Sequence, residues 1–116
     1  MLWTKRYIVP TVIAEVNDTM LLEQEETFGP VVSIDSFSTV NEAITRSNNS
    51  TYGLGAVVFG QQNAAYVAEQ LEAGMVGINK GPGSGYGPWV GAKQSGFGYH
   101  GTASGHRQFT QTKVIN

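Results

Sequence analysis

The sequence predicts an α/β fold built on a parallel β-α-β-α-β unit over residues 31–79. Three observations carry that expectation. Val31-Val32-Ser33-Ile34-Asp35-Ser36-Phe37, Ala56-Val57-Val58-Phe59 and Met75-Val76-Gly77-Ile78-Asn79 are short apolar runs of strand length. The two intervening stretches have helical spacing, which places Val40, Ala43, Ile44 and Ser47 on one face of the first and the apolar Ala64, Val67, Ala68 and Leu71 on one face of the second. Strands alternating with helices connect in parallel through right-handed crossovers.

In chain order, residues 7–14 are rich in β-branched side chains and broken by Pro10, which removes a ladder donor and suits an extended segment near a sheet edge. Asn17-Asp18-Thr19 can cap a short helical turn through Met20-Leu21-Leu22, before Glu23-Gln24-Glu25-Glu26 and the turn Phe28-Gly29-Pro30. Thr39 and Glu42 form a capping box that opens the first helix. Gly53-Leu54-Gly55 leads into the second strand, and Gly74 is expected to end the second helix as its C′ residue. Nine of the fifteen glycines then fall between Gly81 and Gly105, interleaved with Tyr86, Trp89, Phe97 and Tyr99. That stretch is expected to be a long loop without a helix, packed against a cleft through its aromatic rings. Alternation over residues 108–116 predicts a final strand.

At 116 residues the chain has the size of one small domain or part of one. Only 14% of residues are charged, against about 25% in a typical soluble domain. Disorder would raise charge, so the low value points to surface that faces something other than water. A net charge of −2 without a Lys/Arg cluster offers nucleic acid little to bind. The absence of cysteine rules out disulfides, thiolate metal sites and a thiol nucleophile within this chain. No apolar segment follows the charges of residues 1–6, as a signal peptide requires, and no run is long enough to span a bilayer. A cytosolic location is the default expectation. The acceptor patterns starting at Asn48 and Asn49 are read as chance matches in a polar loop.

Gly96-Phe97-Gly98-Tyr99-His100-Gly101 matches the dinucleotide fingerprint in letters alone. The mechanism requires a preceding strand, a following helix and an acidic residue about 20 positions on, and no acidic residue follows Glu72. Ser84, Ser95 and Ser104 lack the flanking glycines of a nucleophile elbow. His100 and His106 have no acidic or cysteine neighbours to complete a metal site and are expected to be surface or hydrogen-bonded histidines. Glu25-Glu26-Thr27-Phe28-Gly29-Pro30-Val31 leaves two readings open. It is either a solvated acidic turn with Phe28 in the core, or a carboxylate that accepts two hydrogen bonds from a ribose diol beside a ring covering an apolar cofactor face.

Pro10-Thr11-Val12, Glu25 to Val31, Asn48 to Leu54, Gly74 to Asn79, Lys93-Gln94-Ser95-Gly96 and Thr110-Gln111-Thr112-Lys113 follow one another over nearly the full chain. In this order and spacing they resemble the C-terminal part of the aldehyde dehydrogenase superfamily. The resemblance implies that Glu26 holds the nicotinamide-side ribose of NAD or NADP, with Phe28 and Leu54 near the nicotinamide end. It also implies that Trp89, in Pro88-Trp89-Val90-Gly91-Ala92-Lys93, lines the aldehyde tunnel. Trp89 and Val90 replace a Phe and a Gly of the family loop, and Tyr99-His100 stand where many members carry Arg-Glu.

The family oxidises an aldehyde to a carboxylic acid through cysteine attack, hydride transfer to NAD(P) and hydrolysis of the thioester. The thiolate, a water-activating glutamate and an oxyanion-binding asparagine are needed for these steps, and the resemblance places all three N-terminal to the matched region, together with the Rossmann-like cofactor domain. On that expectation Met1 is an internal start, a truncated frame or an engineered boundary, and the chain alone is inactive. Residues 1–105 would be the C-terminal part of the catalytic domain and residues 106–116 an oligomerisation-type strand. The expected partners are the aldehyde substrate and further copies in a homo-oligomer, with no nucleic acid, membrane or metal. A non-catalytic module that pairs with a dehydrogenase subunit or another partner is the alternative, and a structural remnant without a ligand is a third reading.

Overall fold

The structure, a computed structural model, describes residues 6–83 and 85–116. The segment examined for a signal peptide, apart from Arg6, and Ser84 therefore lie outside the described residues. Contacts group into two compact units, residues 1–43 and residues 44–116.

In the first unit, β1 (Thr11–Ala14) and β2 (Val31–Ile34) form a parallel pair in the register Thr11↔Val31 to Ala14↔Ile34. Pro10 and Pro30 each stand immediately before a strand, where their missing N–H leaves the ladder intact. Glu15, at φ 58, turns the chain out of β1, and Val16 behind it is buried. The helical turn α1 (Leu21–Gln24) follows, capped less directly than the sequence suggests. The Asn17 side chain accepts from the Thr19 N–H at 3.1 Å and its hydroxyl at 2.6 Å, an Asx turn that closes before the helix begins.

The helix α2 (Val40–Asn48) opens in the first unit and continues into the second. Its capping box is present: the Glu42 N–H donates to Thr39 Oγ1 at 3.1 Å. The Glu42 carboxylate reaches one residue further back than expected and accepts from the Ser38 N–H at 2.8 Å.

In the second unit, β4 (Gly55–Val58) and β5 (Met75–Ile78) are parallel, and α3 (Ala64–Gln70) is their crossover. Ala64, Val67, Ala68 and Leu71, the face chosen by spacing, point inward; Ala64 is buried and the others are half-buried. The chain is thus α/β with parallel strand pairs, and β2 takes β1 as its ladder partner while β4 takes β5.

Three sequence expectations require correction. Gly74 does not terminate the helix. α3 ends at Gln70, with Leu71 extended as its C-cap, and a Cβ on Gly74 would lie 2.0 Å from the Val90 carbonyl oxygen. The glycine is needed for close backbone approach, not for helix termination. The glycine-rich stretch is not a plain loop. It contains β6 (Trp89–Val90), β7 (Ala92–Lys93), β8 (Tyr99–His100) and α4 (Ala103–Arg107). β6 pairs with β8, and β7 pairs with β3 (Tyr52–Gly53), both antiparallel. α4 is capped by Thr102, whose hydroxyl accepts from the Gly105 N–H at 3.1 Å. Residues 111–116 form no strand, because alternating side chains make a strand only when a neighbouring backbone supplies its ladder.

The core is thin. Among the described residues the buried hydrophobic ones are Val16 in the first unit and Ala64 and Met75 in the second. The accessible surface is 9506 Å², where a folded monomer of 12.4 kDa exposes about 6,100 Å².

Candidate functional site

The acidic turn of the first unit is arranged by its backbone. The Glu25 N–H closes α1 by donating to the Leu21 carbonyl at 2.8 Å, so Glu26 is the first residue clear of the helix. The Gly29 N–H donates to Thr27 O at 3.0 Å, and the Val31 N–H donates to Gly29 O at 2.8 Å. These two tight turns deliver the chain into β2. Glu26 is exposed, and its carboxylate has no partner among the described residues. Phe28 is 94% exposed, which removes the reading that placed it in the core. A free carboxylate beside an uncovered ring can accept two hydrogen bonds from a diol while the ring meets a flat apolar face.

The second unit contains an open pocket of about 290 Å³ that includes both Leu54 and Trp89, with Ser95, Phe97, Tyr99, His100 and Phe109 among its other walls. Two predicted site residues, 35 positions apart in sequence, are therefore brought together. Glu26 and Phe28 share the first unit.

Leu54 is positioned by a network that sequence reasoning missed. Lys93 takes a left-handed backbone conformation at φ 53. Its ammonium donates to the carbonyls of Asn48 at 2.7 Å and Ser50 at 3.0 Å, and it pairs with Glu72 Oε2 at 2.7 Å. The Asn48 carboxamide in turn donates to Gln70 O at 2.8 Å and accepts from the Glu72 N–H at 2.9 Å. Gln94 N–H donates to Thr51 O at 2.9 Å, and Ser95 Oγ accepts from Gly53 N–H at 3.0 Å. The chain entering Leu54 is thus fastened to the segment 93–95. The signal in the sequence was the presence of two polar motif blocks, 48–54 and 93–96, without any indication that they meet.

His100 was also missed. It is opposite Trp89 in the β6–β8 ladder, and the two rings stack with centroids 6.1 Å apart and planes 11° from parallel. His100 is exposed, as expected of a surface histidine, and the stacking on Trp89 is what the sequence did not show. The fingerprint letters of residues 96–101 have no phosphate-binding geometry, because Gly98 is followed by the strand β8 where a helix would be required. Gly96, Gly98 and Gly101 all adopt positive φ, and a Cβ on Gly98 would lie 2.7 Å from Gln108 Oε1. They serve turns and close approach. Among the described residues no group of three His, Asp or Glu side chains could hold a metal ion.

A family model described as the aldehyde dehydrogenase family matches residues 3–115. This chain belongs to that family. The chain is 42% identical over 113 residues to an aldehyde dehydrogenase-like protein of Schizosaccharomyces pombe, covering 95% of this chain and 23% of the relative. It is 40% identical over 114 residues to the human mitochondrial succinate-semialdehyde dehydrogenase, covering 96% of this chain and 21% of that protein. Among solved structures, aldehyde dehydrogenase C of Pseudomonas syringae in complex with NAD+ and octanal superposes with a TM-score of 0.85 at 38% identity, covering 94% of this chain and 23% of the other. The chain accordingly spans less than a quarter of the length of these relatives. None of its described helices is long and apolar enough to cross a membrane.

Proposed function

We propose that this chain is the C-terminal part of the catalytic domain of an oxidoreductase that converts an aldehyde to a carboxylic acid with NAD or NADP. The observation that carries the reading is the family match across residues 3–115. Glu26 accepts hydrogen bonds from the nicotinamide-side ribose, and Phe28 and Leu54 bound the nicotinamide end. Trp89 forms part of the aldehyde tunnel. The exposure of Glu26 and Phe28, and the pocket shared by Leu54 and Trp89, support these roles. NAD(P), when bound, supplies the hydride acceptor. The residues present fit its ribose end, since a carboxylate without a protein partner is free to take two hydroxyls.

In the complete enzyme, residues 1–105 belong to the catalytic domain, to which 31–79 contribute parallel strands. Of residues 106–116, the part beyond the end of α4 at Arg107 takes strand form only against another subunit in a homo-oligomer. The chain alone has no cysteine to attack the carbonyl and is inactive.

The test is a graft of residues 3–115 in place of the matched segment of a relative, scored by NADH formation with an aldehyde. Activity in the graft, a raised KM for the dinucleotide in its Glu26→Gln variant, and no turnover by the isolated chain are expected. Turnover by the isolated chain would refute the assignment. The large exposed area favours a second reading, a module that docks on a dehydrogenase subunit without completing its site. Capture of an intact homologue without any effect on its activity would support that reading.

A further inference from the structure

The indole of Trp89 is held on several sides. His100 stacks against it across the β6–β8 ladder, at 6.1 Å between centroids and 11° between planes. A Cβ built on Gly83 would come within 2.9 Å of Trp89 Cζ2, so this glycine leaves room for the ring, and Gly101 lies at ordinary contact distance on another side, its Cβ position 3.8 Å from Cδ1. The strand that carries His100 is itself fastened, because Gln108 donates to the carbonyls of Tyr99 and Gly105. The orientation of Trp89 is therefore set locally, within the second unit.

The lining of the pocket adds a second, independent fact. Its volume is about 290 Å³, and no Asp, Glu, Lys or Arg side chain is among its walls. Among the walls this chain supplies, a ligand carboxylate finds no Lys or Arg to pair with and a ligand cation no carboxylate. Phe97, Tyr99 and Phe109 add further rings to the lining of the same pocket. Flat aromatic surfaces attract another ring through offset or edge-to-face contact.

We propose that His100 is a specificity-determining residue that orients Trp89, so that this pocket selects an uncharged aldehyde bearing a flat aromatic ring. The proposal rests on the reading of the pocket as an aldehyde site. Many family members carry a glutamate at this position, and a carboxylate cannot stack on an indole. His100→Glu therefore removes the flat partner, and His100→Phe keeps it.

The experiment uses the full chain in a Trp3→Phe background, which leaves Trp89 as the single tryptophan reporter. The unreactive amides benzamide, hexanamide, succinamate and trimethylammonioacetamide are titrated while Trp89 fluorescence is followed. Benzamide is expected to bind about three- to tenfold more tightly than the others, the range that a ring-on-ring contact supplies. His100→Phe should keep that preference. His100→Glu should abolish it, with an unchanged far-UV circular dichroism spectrum showing that the fold is intact.

Binding of all four probes with a preference untouched by His100→Glu would overturn the role of His100 while leaving the aldehyde pocket standing. Tighter binding of succinamate or of the trimethylammonium probe would overturn the substrate class. Absence of quenching by any probe would overturn both the inference and the pocket assignment beneath it.

Discussion

Replacing Lys93 by Met preserves most of the aliphatic stem and deletes the charge, which isolates what the ammonium contributes. Three contacts are lost: the hydrogen bonds to the carbonyls of Asn48 and Ser50, and the pair with Glu72. The Lys93 side chain is 24% exposed, whereas that of Glu72 is 60% exposed. Screening limits the ion pair to at most about 1 kcal/mol. The two charge-assisted hydrogen bonds are part-buried; with water able to reach the freed carbonyls, their joint loss is estimated at about 2–3 kcal/mol. Hydrogen exchange on the Gly53 and Gln94 amides reads this locally, since both donate across the same junction. Their protection should fall roughly 30- to 160-fold in Lys93→Met. Glu72→Gln should change it by less than about fivefold, because only the exposed pair is weakened. Equal effects of the two substitutions, or unchanged protection in Lys93→Met, would refute the claim that the carbonyl clamp positions the residues leading to Leu54.

Gly74→Ala places a methyl group against the Val90 carbonyl and should destabilise the second unit by about 3 kcal/mol in urea titration. Gly60→Ala, with open space around its Cβ, should stay within about 0.5 kcal/mol of the parent. Asn79 has φ 54 and exchanges two hydrogen bonds with the Gly60 backbone, at 2.9 and 2.8 Å. Asn79→Ala should therefore cost about 1 kcal/mol more than Asn79→Gly, since only glycine relieves the backbone strain. Thr39→Ala removes the acceptor for the Glu42 N–H and should lower helix stability by about 1 kcal/mol, measured by circular dichroism during denaturation. The isolated chain should self-associate, with a mass that rises with concentration in sedimentation equilibrium; a constant monomer mass would contradict the excess of exposed surface.

Local rules succeeded at Thr39 and along residues 64–71, where the element contained its own cause. The capping box at Thr39 and the apolar spacing from Ala64 to Leu71 needed no distant partner, and both appear in the structure. Gly74 was misread because helix termination is a local use of glycine, whereas its actual neighbour is the backbone of Val90, 16 residues away. The short ladders of 89–100 were invisible for the same reason. Two-residue strands have no periodicity, and their existence depends on partners such as Tyr52 for Lys93. Within the candidate site, the motif blocks located Leu54 and Trp89, but no sequence pattern could show that Asn48, Ser50 and Glu72 converge on one ammonium.

The low charge acquires a physical meaning from the burial pattern. A chain with 14% charged residues and a core of Val16, Ala64 and Met75 keeps few apolar side chains from water by itself. Its accessible area exceeds the expectation for its mass by roughly 3,400 Å², more than the roughly 1,000–2,500 Å² that each partner contributes to a permanent interface. Phe37 in one unit, and Phe59, Val114 and Ile115 in the other, are among the large side chains left uncovered outside the candidate site. Selection for solubility would have placed charge at many such positions. Their apolar character instead matches a chain whose stability comes from further protein surface, and the relatives, of which it spans less than a quarter, carry the additional chain that could provide it.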